Sequence, residues 1–343
     1  MSTYYVRSSG GSDSNTGLSF AQGFATVQKG INTAVNGGDI IFICNDGIHT
    51  PTSYIATIVT SGTTNNYVLI KGVSATGIDD GSISTITGTG FSSGAIVYHN
   101  SVGSYKWENV RFTEADDSGF VIGPAGNNSK VTFINCRFDN AKYAGFFTLE
   151  ENEYKIINFI GCEFDSNNTN GIEFYFPTYG NDIFIYNCKF HDNIQSGIVY
   201  HGLRFMIPIY NCLFYNNGTY GFLTNQQMDA IYLYNCIFDN NTNGIGLGLG
   251  NKSQGRLNIM NNIFSNNSQY GIYLYTTSYI AINFDYNCFY NNTSGHINYF
   301  GGIPPGDNNV LSNPLYVSTT PGSENYTLQV GSPCINSGYG YNG

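Results

Sequence analysis

Acid–base chemistry needs a carboxylate and a second titratable group within reach, and this 343-residue chain supplies few of either: 23 Asp and Glu, 13 Lys and Arg, and 5 His. They are unevenly spread. From Glu108 to Asp192 there are 13 acidic residues against 6 basic ones, whereas from Asn211 to Phe300 Asp229, Asp239 and Asp285 meet only Lys252 and Arg256. Within the acid-rich stretch, Glu173 and His201 are set among aromatic and aliphatic positions. On adjacent strands they would lie one strand and two residues apart, about 8 Å. Glu150 or Glu151 would fall about one strand from Glu173. Two carboxylates roughly 6.5–9.5 Å apart suit an inverting glycosidase, one as acid and one as base. Alternatively, His201, Arg204 and Tyr175 would abstract a proton beside a carboxylate and steady the resulting anion, as a uronate lyase requires. Neither set has a diagnostic spacing. The plainer reading of Glu173 is a solvated surface carboxylate, and of His201 a surface histidine at a strand end.

Such residues need a scaffold, and composition bounds it. Charged residues make up 10% of the chain and aromatics 15%, with 28 Tyr and 24 Phe, so disorder is excluded. A net charge of −10 argues against nucleic acid as a partner. Apolar runs such as Ile40-Ile41-Phe42-Ile43-Cys44 are strand-sized, which argues against membrane insertion. The start, Met-Ser-Thr-Tyr-Tyr-Val, shows no signal peptide in this chain, which favours virion assembly over secretion.

The scaffold is written as a repeat. Asn-Cys-x-Phe and its variants recur at Asn109, Asn135, Gly161, Asn187, Asn211, Asn235, Asn261 and Asn287, at steps of 26, 26, 26, 24, 24, 26 and 26 residues. A Gly-apolar-x-apolar motif keeps the same step from Gly119 through Gly145, Gly171, Gly197, Gly221, Gly244 and Gly271 to a less well-formed Gly295. Alternating strands such as Val131–Ile134 and Ile231–Tyr234 precede each Asn. Three short strands per repeat cannot bury their apolar faces alone. Stacked at about 4.8 Å they form a parallel β-solenoid with three strands per coil. Cys and Phe then point inward, the Asn turns a positive-φ corner and stacks its amide along the axis, and the Gly relieves the corner opening the next strand.

These repeats, with Tyr4-Tyr5-Val6, Gly10-Gly11-Ser12-Asp13, Phe24-Ala25-Thr26-Val27 and Gly37-Gly38-Asp39 at one end and Asn313-Pro314-Leu315-Tyr316 and Gly331-Ser332-Pro333-Cys334 at the other, resemble the right-handed parallel β-helix, pectate-lyase-like superfamily. The resemblance implies an all-β, right-handed, single-stranded β-helix of about 10 coils. Residues 1–50 would be an opening segment with a short capping helix through Phe24, Val27, Ile31 and Ala34. Residues 51–300 would be the repeats, clearest over 105–300, and residues 301–343 a closing segment, all in one domain. The superfamily holds lyases, hydrolases, epimerases, phage tailspikes and non-catalytic adhesins, so it is specific for fold and open on activity. It implies an extracellular or virion location and polysaccharide or a cell-surface glycan as partner. Phe147, Tyr175, Asn225, Tyr273 and Tyr275, outward on the strand that starts at each Gly, would be the binding face. The same stripe, with Leu149, Val199 and Leu223, suits a subunit contact in a homotrimeric, non-catalytic rod equally well.

Six of the eight cysteines (136, 162, 188, 212, 236 and 288) fall on the inward ladder position and read as reduced core thiols, with Cys44 and Cys334 too far apart at the two ends to pair. Folding in a cytoplasm follows. A linear stack offers no tetrahedral zinc set. Oxygen ligands that suit Ca²⁺ occur at Asp79-Asp80, Asp116-Asp117 and Glu150–Glu153, without a recognised calcium-loop pattern. Arg111, Arg137, Glu163 and Lys189 share one outward ladder and read as an exposed charge stack worth little.

Overall fold

The computed structural model describes residues 1–57, 66–90, 94–100, 103–123, 129–149, 155–175, 182–202, 206–224, 230–248, 256–275, 281–298 and 306–340. Among them the repeat winds into a solenoid whose coils feed three parallel sheets of 11, 9 and 10 strands. In one coil, Ser129–Ile134 lies in the first sheet, Arg137–Asp139 in the second and Phe146–Thr148 in the third, each in register with the coils on either side. Among the described residues no helix is long and apolar enough to cross a membrane.

Register follows from the aromatic ladder. Phe112, Phe138, Phe164, Phe190, Phe214, Phe238, Phe264 and Phe289 are buried in one column. Their ring centroids lie 4.7–5.2 Å apart and their planes within 18° of parallel. A one-residue slip would turn this column out to water, so burial pins each coil to the next. The corners between the first and second sheets use Asn109, Asn135, Asn187, Asn211, Asn235 and Asn261 at φ between 50° and 59°, with Gly161 at 65°. Asparagine tolerates that backbone state better than other residues with a Cβ.

Three expectations change. Most stacked amides are not those of the Asn-Cys corner, where Asn135, Asn187, Asn211 and Asn235 are exposed; Asn287, buried where the motif slips, does stack, accepting from Asn262 Nδ2 at 3.1 Å. The buried ladder sits three residues past Phe164 and each later Phe of the column: Asn167, Asn193, Asn217, Asn241 and Asn267 each donate Nδ2 to the Oδ1 of the next, ending at Asn292, at 2.7–3.3 Å. Only a buried amide needs such partners, because a corner side chain can bond to water. The glycines opening the third sheet are not there for backbone freedom either. A Cβ on Gly197 would stand 2.6 Å from the Gly221 carbonyl oxygen, and Gly119, Gly145, Gly171, Gly221 and Gly244 meet the next coil in the same way. The strand is too close to its neighbour for a methyl group.

The third change concerns Cys288. The strand Cys288–Tyr290 pairs Cys288 with Ile263 and Phe289 with Phe264, and Tyr286 takes the positive-φ corner. The Asn-Cys motif here is displaced by one residue, which moves Cys288 from the inward column to the outward one. Five cysteines, not six, form the interior ladder. The step to the last coil is 25 residues from Phe264 to Phe289, one shorter than the motif suggests.

The first coil is capped, and the closing segment folds back along the solenoid. The helix Val27–Thr33 buries Val27 and Ile31, with Phe24 and Ala34 beside it, over the first coil. Thr26 caps it by accepting from the Lys29 N–H at 3.1 Å. Beyond the last coil, an antiparallel pair, Tyr316–Ser318 with Asn325–Leu328, lies back on the outer face of the second sheet. There the Tyr326 hydroxyl reaches Asp239 at 3.2 Å and Tyr316 reaches Ser265 at 3.2 Å.

Candidate functional site

The outer face of the third sheet is expected to be polar, yet at Glu173 it is nearly closed to water. Strand Ile172–Phe174 points Ile172 and Phe174 into the core, so Glu173 faces outward, paired with Phe147 on one side and Val199 on the other. It is 7% exposed. His201 follows the next strand two residues past Val199, and its Nε2 lies 3.2 Å from Glu173 Oε1. Asn170 donates Nδ2 to Glu173 Oε2 at 2.8 Å. The Asn170 amide is oriented by the Ser196 N–H, which donates to its Oδ1 at 3.0 Å. The Tyr143 hydroxyl is a third donor to the carboxylate.

Burial pushes the Glu173 carboxyl up, but the hydrogen bonds from His201, Tyr143 and Asn170 outweigh it and hold the group below the usual carboxylate range. Glu173 is therefore ionised at neutral pH and is no general acid. Tyr143 is shifted the other way, by burial and by the Glu173 charge, and keeps its proton. Facing a carboxylate, the His201 Nε2 carries a hydrogen. That leaves Nδ1 as the atom able to take a proton, the relation of base to orienting acid found in triads.

Aromatic rings flank the pair. The Tyr175 ring lies 5.1 Å from His201, and Tyr143 meets Phe147 edge-on at 5.5 Å. Phe147, Glu173, Tyr175 and His201 thus come together as expected. The side chains close to 3.2 Å because Glu173 leans along the strand toward His201, where strand spacing alone suggests about 8 Å. Tyr273 and Tyr275 sit four coils away, about 19 Å along the axis. There the Tyr220 and Tyr275 hydroxyls meet at 2.5 Å and Tyr273 packs on Tyr275. Val199 is buried within the chain itself, so the apolar stripe is broken rather than continuous. Arg204, Glu150 and Asn225 lie outside the described residues. Tyr143 and Asn170 are missing from the sequence reading. Asn170 directly precedes the strand-opening Gly171, a place where the adjoining coils carry Ser118, Ala144 and Ser196, and its departure from these small neighbours is the signal that could have found it.

The charged ladder on the second sheet is also not the loose stack expected. Arg137 bonds Asp165 through Nε at 2.8 Å and Nη2 at 2.7 Å, and Arg111 holds Asp139 in the same fork. Asp139 and Asp165 are buried. His191 sits between Glu163 at 2.9 Å and Asp192 at 2.7 Å, its ring stacked on Tyr215 at 4.6 Å. Burial lowers the His191 pKa, but the bonds to Asp192 and Glu163 prevail and raise it to about 9. Ligand atoms of Glu163, Asp165 and His191 lie within 4.8 Å of one another, the spacing of a metal set. A protonated imidazole and an arginine already on Asp165 make this an ion-pair network instead. Of the acidic pairs weighed for calcium, Asp79 binds Lys71, Asp80 accepts from the Ser82 N–H, and Asp116 binds Lys142. The run 150–153 lies outside the described residues.

Residues 126–289 match the family described as right handed beta helix region. No curated protein sequence matches the chain. Among solved structures, a pectate lyase, Pel9A, superposes with a TM-score of 0.64 at 16% identity, covering 99% of this chain and 92% of its own. A GH136 lacto-N-biosidase from Eubacterium ramulus gives 0.61 at 12%, over 86% of this chain and 65% of its own. XylC in complex with xylose gives 0.52 at 10%, over 86% and 70%. At these identities the likeness is one of fold.

Proposed function

We propose that this right-handed parallel β-helix binds a neutral glycan on the outer face of its third sheet, with Glu173 and His201 at the centre, and works outside the producing cell as a virion component or a released protein. The carrying observation is a carboxylate held by three donors on a face that a bare solenoid would leave solvated. Burying a charge there costs several kcal/mol unless it is paired, and such an arrangement holds a residue poised for a ligand. Phe147 and Tyr175 supply ring faces for the apolar side of a sugar, and the polar groups between them supply orientation. A net charge of −10 and a carboxylate at the centre of the face favour a neutral chain over a polyuronate. Cleavage would be hydrolytic: His201 Nδ1 takes a proton from water as that water's oxygen bonds to the anomeric carbon, the glycosidic C–O bond breaks, the departing oxygen takes a proton from solvent, and Glu173 stabilises the imidazolium until it returns its proton to solvent.

The test is titration of neutral and uronate oligosaccharides by isothermal calorimetry, with reducing ends assayed in parallel. Neutral oligosaccharides are expected to bind, and Tyr175→Ala to weaken them about tenfold. Glu173→Gln is expected to lower hydrolysis at least 100-fold with binding retained. Binding confined to uronates, or hydrolysis indifferent to Glu173→Gln, would sink this reading. The tyrosine cluster at the far end supports a second one: Tyr275 is 52% exposed beside Tyr273 and suits a contact between copies in a trimer. Light scattering of wild type and Tyr275→Ser separates the two, since a glycan platform leaves the mass unchanged.

A further inference from the structure

The displaced register at the last coil has a chemical consequence. Cys288 faces outward, yet it is buried, because the closing segment lies over it. Its Sγ donates to the Ser312 carbonyl at 3.3 Å. From there the segment runs to Pro314, whose carbonyl accepts from Ser332 Oγ at 2.5 Å, and Ser332 Oγ in turn accepts from the Cys334 N–H at 3.2 Å. This chain of contacts, Cys288 to Ser312, Pro314 to Ser332 and Ser332 to Cys334, brings the Cys334 turn onto Cys288, so that each thiol lies in the electrostatic surroundings of the other. The interior cysteines also touch their neighbours, but they are fully enclosed and stand parallel in sheet register, a poor geometry for a disulfide. Cys334 is different on both counts: it is partly exposed and sits in a turn outside the sheets.

We propose that Cys288 and Cys334 are an oxidisable pair whose disulfide fastens the closing segment to the last coil. The oxidant is a small disulfide such as oxidised glutathione. The Cys334 thiolate attacks one glutathione sulfur, breaking that S–S bond and releasing one glutathione thiol. The Cys288 thiolate then attacks Cys334 Sγ, forming the protein disulfide and releasing the second. Two protein thiols lose two electrons and two protons, and the glutathione disulfide takes up both. Attack begins at Cys334 because it is the half-exposed partner and its contacts with Cys288 and Ser332 hold its pKa below the ordinary thiol value.

The experiment incubates the folded full chain with oxidised glutathione, blocks remaining thiols after unfolding, and maps peptides by mass without reduction. The expected product is a Cys288–Cys334 cross-linked peptide two hydrogens lighter than its parts, with Cys136, Cys162, Cys188, Cys212 and Cys236 recovered as blocked thiols. In Cys288→Ser, Cys334 is expected to stop at the glutathione adduct. Recovery of wild-type Cys334 as that adduct beside a free Cys288, or of both as free thiols, would overturn the pairing.

Discussion

His191 stores a measurable share of stability in one proton. Its imidazole is pinned between Glu163 and Asp192 under the Tyr215 ring and is almost enclosed, and its pKa stands at about 9 against an ordinary 6.5. At about 1.4 kcal/mol per unit, that difference is worth about 3 kcal/mol. Because the folded pKa is the higher one, the contribution is complete below pH 6.5 and drains away as pH rises through 9. Glu163 and Asp192, both held below the usual carboxylate range by His191, oppose this only at the acid end, where their share is lost as pH falls through their lowered values. The assay is urea denaturation of wild type and His191→Gln from pH 6 to pH 10, with an imidazole NMR titration alongside. The stability difference between the two proteins should shrink by about 3 kcal/mol across that range, and the imidazole midpoint should lie near 9. A difference that stays constant, or a midpoint at or below 6.5, would refute the ion-pair account.

Gly197→Ala should cost about 1–3 kcal/mol in the same denaturation assay, because the new methyl meets the Gly221 carbonyl, which cannot rotate away. Asn217→Leu should cost about 3 kcal/mol, since it takes the Asn217 acceptor from the Asn193 N–H and one Nδ2 hydrogen and the Asn217 donor from the Phe190 carbonyl, all of them buried. Millimolar zinc at neutral pH should leave the thermal midpoint unchanged. A rise that vanishes in His191→Gln would instead make Glu163, Asp165 and His191 a metal site.

The solenoid was legible because its cause is periodic: the inward Phe recurs at 24 to 26 residues, and each copy is interpretable only if the next stacks on it. The helix over the first coil was legible from Phe24, Val27, Ile31 and Ala34, all of them buried as the spacing requires. What escaped is set by pairing across coils. Arg111 and Arg137 share a ladder with Glu163, but each reaches an aspartate 28 residues on, in the ladder beside it. A reading of one column at a time cannot see that diagonal. Cys288 was misplaced because Asn287-Cys288 copies the motif while the coil before it is one residue short, and only the ring column shows the slip. Glu173 and His201 were found as types on a face. That the carboxylate is shut away depends on Asn170, which its place before Gly171 could have flagged, and on Tyr143 in the coil before, whose reach no spacing rule gives.

The buried amide ladder runs one way, each asparagine donating toward the next coil, and almost every bond in the stack joins one coil to its two neighbours. Under tension applied to the chain ends, such a stack has no single point of rupture. The coils would peel in turn from an end, each freeing 24 to 26 residues, about 80 Å of slack at about 3.4 Å per residue. A force–extension trace should therefore be a sawtooth of near-equal teeth, in which the rod yields by small instalments and holds its load while doing so.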